Sequence, residues 1–176
     1  MKLKYPLICL LIVLGLLAAL KWRRDAWHAQ SHKRIWILSP ETRLEDVASI
    51  TIEKGGSVLT LLRADQAWTI QESNNLQADA QKVLLFLSDL YQANVTDILP
   101  DEPLEAVGLT PESGAISVML LDNTGCVLAA FLFGKQIRVK AKMQTVSAGR
   151  WLLYNGKPAK VANPFPYIDL EPKGWQ

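Results

Sequence analysis

Residues 47–70 read VASITIEKGGSVLTLLRADQAWTI, and this stretch decides the fold class. Ile50 and Ile52 alternate with Thr51 and Glu53, the period of a strand with one buried face. Gly55-Gly56 supplies the two positive-φ positions that a tight hairpin turn needs. SVLTLLR then places Leu59 and Leu61 on one side. After Asp65-Gln66 the chain returns as AWTIQ, with Trp68 and Ile70 facing one way. The expectation is a three-stranded antiparallel meander.

Downstream the period changes. Val83, Phe86, Leu87, Leu90, Tyr91 and Asn94 follow i, i+3, i+4 spacing, so a helix is expected over about 79–94, started by Asp79 and packed on the meander. Residues 95–114 are broken by Pro100, Pro103, Gly108 and Pro111 and read as an irregular connector. Further hairpins follow: AISVMLLD against CVLAAFLFG around Asn123-Thr124-Gly125, then QIRVKAK, then RWLLYNG against PAKVA around Asn155-Gly156. The end, NPFPYIDLEPKGWQ, allows at most a short helical turn after Asn163. The whole is α+β: antiparallel hairpins with one main helix packed on the sheet. The halves look loosely repetitive, each with a Trp-bearing third strand at Trp68 or Trp151.

Before the body lies Tyr5 to Leu20, YPLICLLIVLGLLAAL, sixteen residues without a charge. At ~1.5 Å per residue it covers roughly 24 Å of a hydrocarbon layer about 30 Å thick. Flanking Lys4 and Lys21 can snorkel, and Trp22 suits the interface. Residues 1–22 are therefore expected to form an uncleaved transmembrane signal anchor, partnered by the bilayer through residues 5–20. A cleaved signal peptide is the rival reading, but Leu17 fits a cleavage site poorly. Residues 23–46 are read as a basic juxtamembrane linker and 47–176 as the folded domain. Basic residues after the span outnumber those before it, which taken alone would keep the body in the cytoplasm.

The formal net charge of +2 conceals blocks. Residues 1–34 hold seven Lys/Arg and one acid; residues 35–176 hold twelve against sixteen acids. An acidic body argues against nucleic acid as a partner, which needs a basic footprint. Within the body, residues 123–168 carry seven bases and no acid: Lys135, Arg138, Lys140, Lys142, Arg150, Lys157 and Lys160. Lys135, Arg138, Lys140, Lys142 and Arg150 are the candidate partner-docking residues, for an acidic protein or anionic lipid. The plainer reading of the Arg138, Lys140, Lys142 row is an edge strand that its charges protect from aggregation.

Catalytic chemistry finds little footing. Both histidines, His28 and His32, precede residue 33, so a Ser–His–Asp or Cys–His site in the body is excluded. Spaced i, i+4, the two lack a third ligand, and no metal site is assigned. Cys126 has no His or second Cys to activate it. Asp101, Glu102 and Glu105 sit on a turn-rich acidic loop, which is usually just solvated. No phosphate-binding Gly-rich loop is present. The chain is read as non-enzymatic, with no cofactor.

Several segments in order carry a resemblance. ITIEKGGSVLTLLRADQAWTI contains an Arg-x(4)-Trp element, Arg63 and Trp68. LQADAQKVLLFLSDL follows, then LEAVGLTPESGAISVML with Gly108, Leu109 and Pro111. LAAFLFGK ends its strand at Gly134, and GRWLLYNGKPAKVA forms the penultimate hairpin. Over roughly residues 47–162 the chain resembles the bacterial domain-of-unknown-function 4340 family. It departs in a short segment at 143–149 and a Pro-rich end. The resemblance implies a bacterial inner-membrane protein, single-pass, with its C-terminal domain in the periplasm, often encoded beside ABC-type transport components such as those of gliding systems. It implies no catalytic residues. The expected function is an accessory interaction protein of the cell envelope, with protein partners in the membrane or envelope. The alternative is a lipid- or glycan-binding module, favoured by any apolar pocket bounded by Trp68, Phe86 and Tyr91.

Overall fold

Ten strands and one helix make up the body, described here from a computed structural model over residues 35–65, 67–141, 144–162 and 168–176. The strands are β1 (Ile35–Trp36), β2 (Ser49–Lys54), β3 (Ser57–Ala64), β4 (Ala67–Ile70), β5 (Leu76–Ala78), β6 (Asn94–Ile98), β7 (Ile116–Leu121), β8 (Val127–Ala141), β9 (Gln144–Tyr154) and β10 (Lys157–Ala162). The helix, α1, is Ala80–Gln92. All pairings are antiparallel, in the order β1-β6-β10-β9-β8-β7-β2-β3-β4-β5. The α+β expectation therefore holds, with more strands than the sequence showed.

The order contains two four-stranded meanders, β2 to β5 and β7 to β10, joined through their first strands. At that seam Ile50 pairs with Leu120 and Ile52 with Val118. The same alternation buries Ile50, Ile52, Leu59, Leu61, Trp68 and Ile70 from one meander and Val118, Leu120, Phe133, Leu152 and Ala159 from the other, in one core cluster. The repeat is one of topology only. Trp68 is buried in the core, whereas Trp151 lies half-buried beside the core-facing Leu152 and therefore points to the opposite side of β9. Lys160 stacks over it, 5.3 Å from the ring centroid.

Asp79 caps α1, its side chain accepting from the Gln81 amide at 2.8 Å. Val83, Phe86, Leu87 and Leu90 face the core as the period predicts, but Tyr91 does not: it is exposed. Asn94 already belongs to β6, so the helix ends two residues short of the expected boundary.

Three segments read as irregular are packed. Leu38 is buried and the Ile37 amide donates to the Ala93 carbonyl at 3.2 Å, so the packed unit begins at Ile35 and takes in part of the expected linker. Strand β6 occupies the start of the expected connector. Trp175, from a short 3-10 turn at Pro172–Trp175, is 3% exposed. The long β8 also fuses two expected strands, passing through Gly134 with register shifts on β9 between Phe133 and Gln136 and between Ile137 and Arg138.

Among the described residues no helix is long and apolar enough to cross a membrane. The expected anchor at 1–22 and the basic stretch to residue 34, His28 and His32 included, lie outside the described residues, as does Lys142.

Candidate functional site

Strand lengths determine which surface leaves the sheet. β7 accompanies β8 only as far as the Ile116–Phe133 pair, and β10 accompanies β9 only from Gly149 to Tyr154. Between these limits Gln136–Ala141 pairs with the stretch from Gln144 to Arg150 alone, and no other described strand runs beside it. The result is a two-stranded ribbon projecting from the second meander. Its alternation has no core to face, and Val139 is accordingly exposed.

The connector fastens the root of this ribbon. The Lys135 amide donates to the Val107 carbonyl at 2.9 Å, and Lys135 Nζ donates to the Ala106 carbonyl at 3.0 Å. Gly134 lies beneath: a Cβ there would stand 2.4 Å from the Val107 carbonyl oxygen and 3.0 Å from Trp151 Cβ. Val107, Leu109 and Ala115 are buried but stand apart from the main core cluster. Thr110 and Ser113 fix the turn that follows, the Thr110 amide donating to Ser113 Oγ at 3.0 Å and Ser113 Oγ to the Thr110 carbonyl at 3.0 Å.

Of the five candidate docking residues, Lys142 lies outside the described residues, and Arg150 does not share a surface with Lys135 and Arg138. Lys135 and Arg138 are exposed at the root and on the first strand of the ribbon. Lys140 continues that strand, its backbone paired with Thr145. Arg150 is set apart: at 9% exposed it shares the core-facing side with Leu152 and sits opposite Gln136 and Val161. Burial lowers its pKa from the usual arginine value, the opposite of what a solvated docking base would feel. The edge-strand reading holds in part. β8 is interior to the sheet as far as Phe133 and becomes an edge only beyond it.

Acidic residues gather elsewhere. Glu45, Asp46, Arg63, Asp65, Asp122 and Asn123 line a groove of about 400 Å³. The groups with resolved partners serve structure. Arg63 Nη1 donates to the Glu45 carbonyl at 2.9 Å, and Glu45 bridges Arg43 at 2.6 Å. Asp122 Oδ1 accepts from Thr124 Oγ1 at 2.7 Å and from the Thr124 and Cys126 amides at 2.8 Å each. These bonds, the Thr124 hydroxyl first, hold its carboxyl below the ordinary value of 3.8. Among the described residues no three His, Cys, Asp or Glu side chains are arranged to hold a metal ion. Asp101, Glu102 and Glu105 are simply exposed.

The outward face of α1 was not foreseen. Leu84 and Leu85 are 61% and 63% exposed, and Tyr91, one helical register of seven beyond Leu84, is 47% exposed. Two grooves flank the helix. One, about 200 Å³, is lined by Trp36, Leu38, Pro40, Tyr91 and Gln92. The other, about 300 Å³, is lined by Lys82, Leu85, Phe86, Asp89, Gly174 and Trp175, and partial burial there raises the Asp89 pKa. Neither is bounded by Trp68, which is core. The signal was present in KVLLFLSDLY, which holds more apolar residues than one buried stripe can use.

No protein-family profile matches the chain, and neither a curated protein nor a solved structure matches it.

Proposed function

We propose that this protein is a membrane-anchored, non-enzymatic interaction subunit of the bacterial cell envelope, auxiliary to an ABC-type transport-like assembly. Residues 5–20 would hold it in the inner membrane by a single span, with the body in the periplasm. The ribbon of β8 and β9 would dock an acidic surface of a membrane or envelope partner. The observation that carries this reading is the ribbon itself. It leaves the sheet, bears Lys135 and Arg138 exposed, and has no acid between residues 123 and 168. Complementary charge then sets register and encounter rate more than raw affinity.

A photo-crosslinking residue at position 138 in native membranes tests it. The expected adduct is with one envelope protein, is lost when Lys135 is changed to Glu, and returns when an acidic residue at the partner's crosslink site is changed to Lys. A body that yields no adduct from position 138 overturns the reading. Protease added to spheroplasts should digest the body if it is periplasmic.

The grooves beside α1 support a second reading, a module that binds an envelope lipid or glycan. Specific co-purification of such a molecule, displaced by Trp36→Ala, would favour it over the docking subunit.

A further inference from the structure

We propose that the outward face of α1, with Trp36, is a peripheral membrane contact that lays the body against the bilayer interface. This rests on the reading that the chain is tethered through residues 5–20. Leu84 and Tyr91 share one azimuth of the helix two turns apart, and Leu85 widens the strip. Trp36 meets Tyr91 across their shared groove and extends the strip beyond the helix. Four large apolar or aromatic side chains, each more than a third exposed, are thus grouped on α1 and the groove beside its end. Among the described residues the remaining large exposed apolar side chains are dispersed: Val58 on β3, Leu76 on β5, Ile98 on β6, Leu104 on the connector, and Val127 and Val139 towards opposite ends of β8. Scattered singles need no explanation, whereas several exposed large side chains grouped on one helix do.

Two observations name the occupant as lipid. The first is composition. The strip pairs leucines with Trp and Tyr, the residues that settle at the membrane–water boundary. Its neighbours on the helix include the uncharged Gln81, Ser88 and Gln92, while Lys82 and Asp89 in the groove beside Leu85 are charged; Asp89 is the one acid within α1, although residues 41–122 carry fourteen. The second is position. Trp36 stands two residues past Arg34, at the end of the fourteen residues 21–34 that follow the apolar stretch. Fourteen residues reach at most about 50 Å fully extended. Trp36, at one end of the strip, is therefore within two residues of the point where the tether joins the body. Three or four interfacial side chains bind a membrane weakly alone, but a tether makes the contact intramolecular and raises its effective concentration.

The test uses the full chain in vesicles of phosphatidylethanolamine and phosphatidylglycerol. Cys9 and Cys126 are changed to Ser, and an environment-sensitive fluorophore is placed by Leu85→Cys or, as the comparison, by Val58→Cys. Lipids carrying a nitroxide near the headgroup should quench the label at position 85 at least about twofold more than the label at 58. Trp36→Ala with Tyr91→Ala should reduce that quenching while leaving the thermal midpoint in place. If the protein floats with the vesicles but position 85 is not quenched, the docking fails and the tether stands. A label at 85 shielded from aqueous iodide but not reached by the nitroxide lipid would show a protein partner or second copy on the strip, and overturns the proposal. Failure to float removes the tether and the docking together.

Discussion

The Trp175 ring stands edge-on to Phe86, with centroids 5.5 Å apart and planes at 78°. This contact ties the last residues of the chain to the first turns of α1. Hydrogen bonds surround it: the Asp79 amide donates to the Trp175 carbonyl at 2.6 Å, Trp175 Nε1 donates to the Asp169 carbonyl at 2.9 Å, and Lys82 Nζ donates to the Gly174 carbonyl at 3.1 Å. The carboxyl-terminal segment is a clamp on the helix start. Trp175→Ala should lower stability by about 3–5 kcal/mol, the cost of emptying a buried aromatic site. Leu85→Ala, one residue from Phe86 but exposed, should change it by no more than about 0.5 kcal/mol. Urea unfolding of the two variants separates them. Equal effects would mean that Trp175 is not part of the core.

Gly134 is the point where the connector and the ribbon meet. The carbonyl oxygen of Val107 is backbone and cannot swing aside, so Gly134→Ala must push the connector off β8. A cost of about 1–3 kcal/mol is expected, as for overpacking in a core. Amide exchange at Lys135 should rise in the same variant, because its bond to Val107 is the first to lengthen. Unchanged exchange there would show that the strand, not the connector, gives way.

Asp122 makes the β7–β8 turn sensitive to acid. Its pKa in the folded protein is depressed by the bonds from Thr124 and Cys126. A depressed carboxyl stabilises the fold above its unfolded pKa, and that contribution disappears as pH falls through the folded value. Protection of the Cys126 amide should therefore be constant above about pH 4 and decline below it. Asp122→Asn keeps an acceptor oxygen and should abolish the pH dependence without opening the turn. Asp122→Ala should open it at every pH. Nuclear magnetic resonance of the two amides distinguishes these outcomes.

How much of this the sequence could reveal depended on the range of the interaction. The β2–β3 hairpin was legible because Gly55-Gly56 and the Ile50–Ile52 alternation are local signals. The cap at Asp79 and the stripe from Val83 to Leu90 were legible for the same reason. Trp175 was not, since its partner Phe86 lies far along the chain and a Pro-rich tail gives no periodic cue. Strand β6 was hidden by a preceding helix and following prolines, and β1 by its two-residue length. Arg150 was misjudged as a surface base. Strand alternation places it on the Leu152 face, a clue that the charge pattern obscured. The sequence separates QIRVKAK from the strand before it because Gly134 normally punctuates, whereas β8 runs through it. Here it lets another backbone cross at close range.

The joint between β2 and β7 has a kinetic consequence. Ile52 and Val118 are neighbours in space but are separated by most of the first meander, the helix, β6 and the connector. Each meander can zip up from its own turns, whereas their union must wait for a long loop to close. Substitutions confined to this joint should therefore leave the refolding rate almost untouched and hasten unfolding instead. On that expectation, the lifetime of the native state is set where the two halves are sewn together.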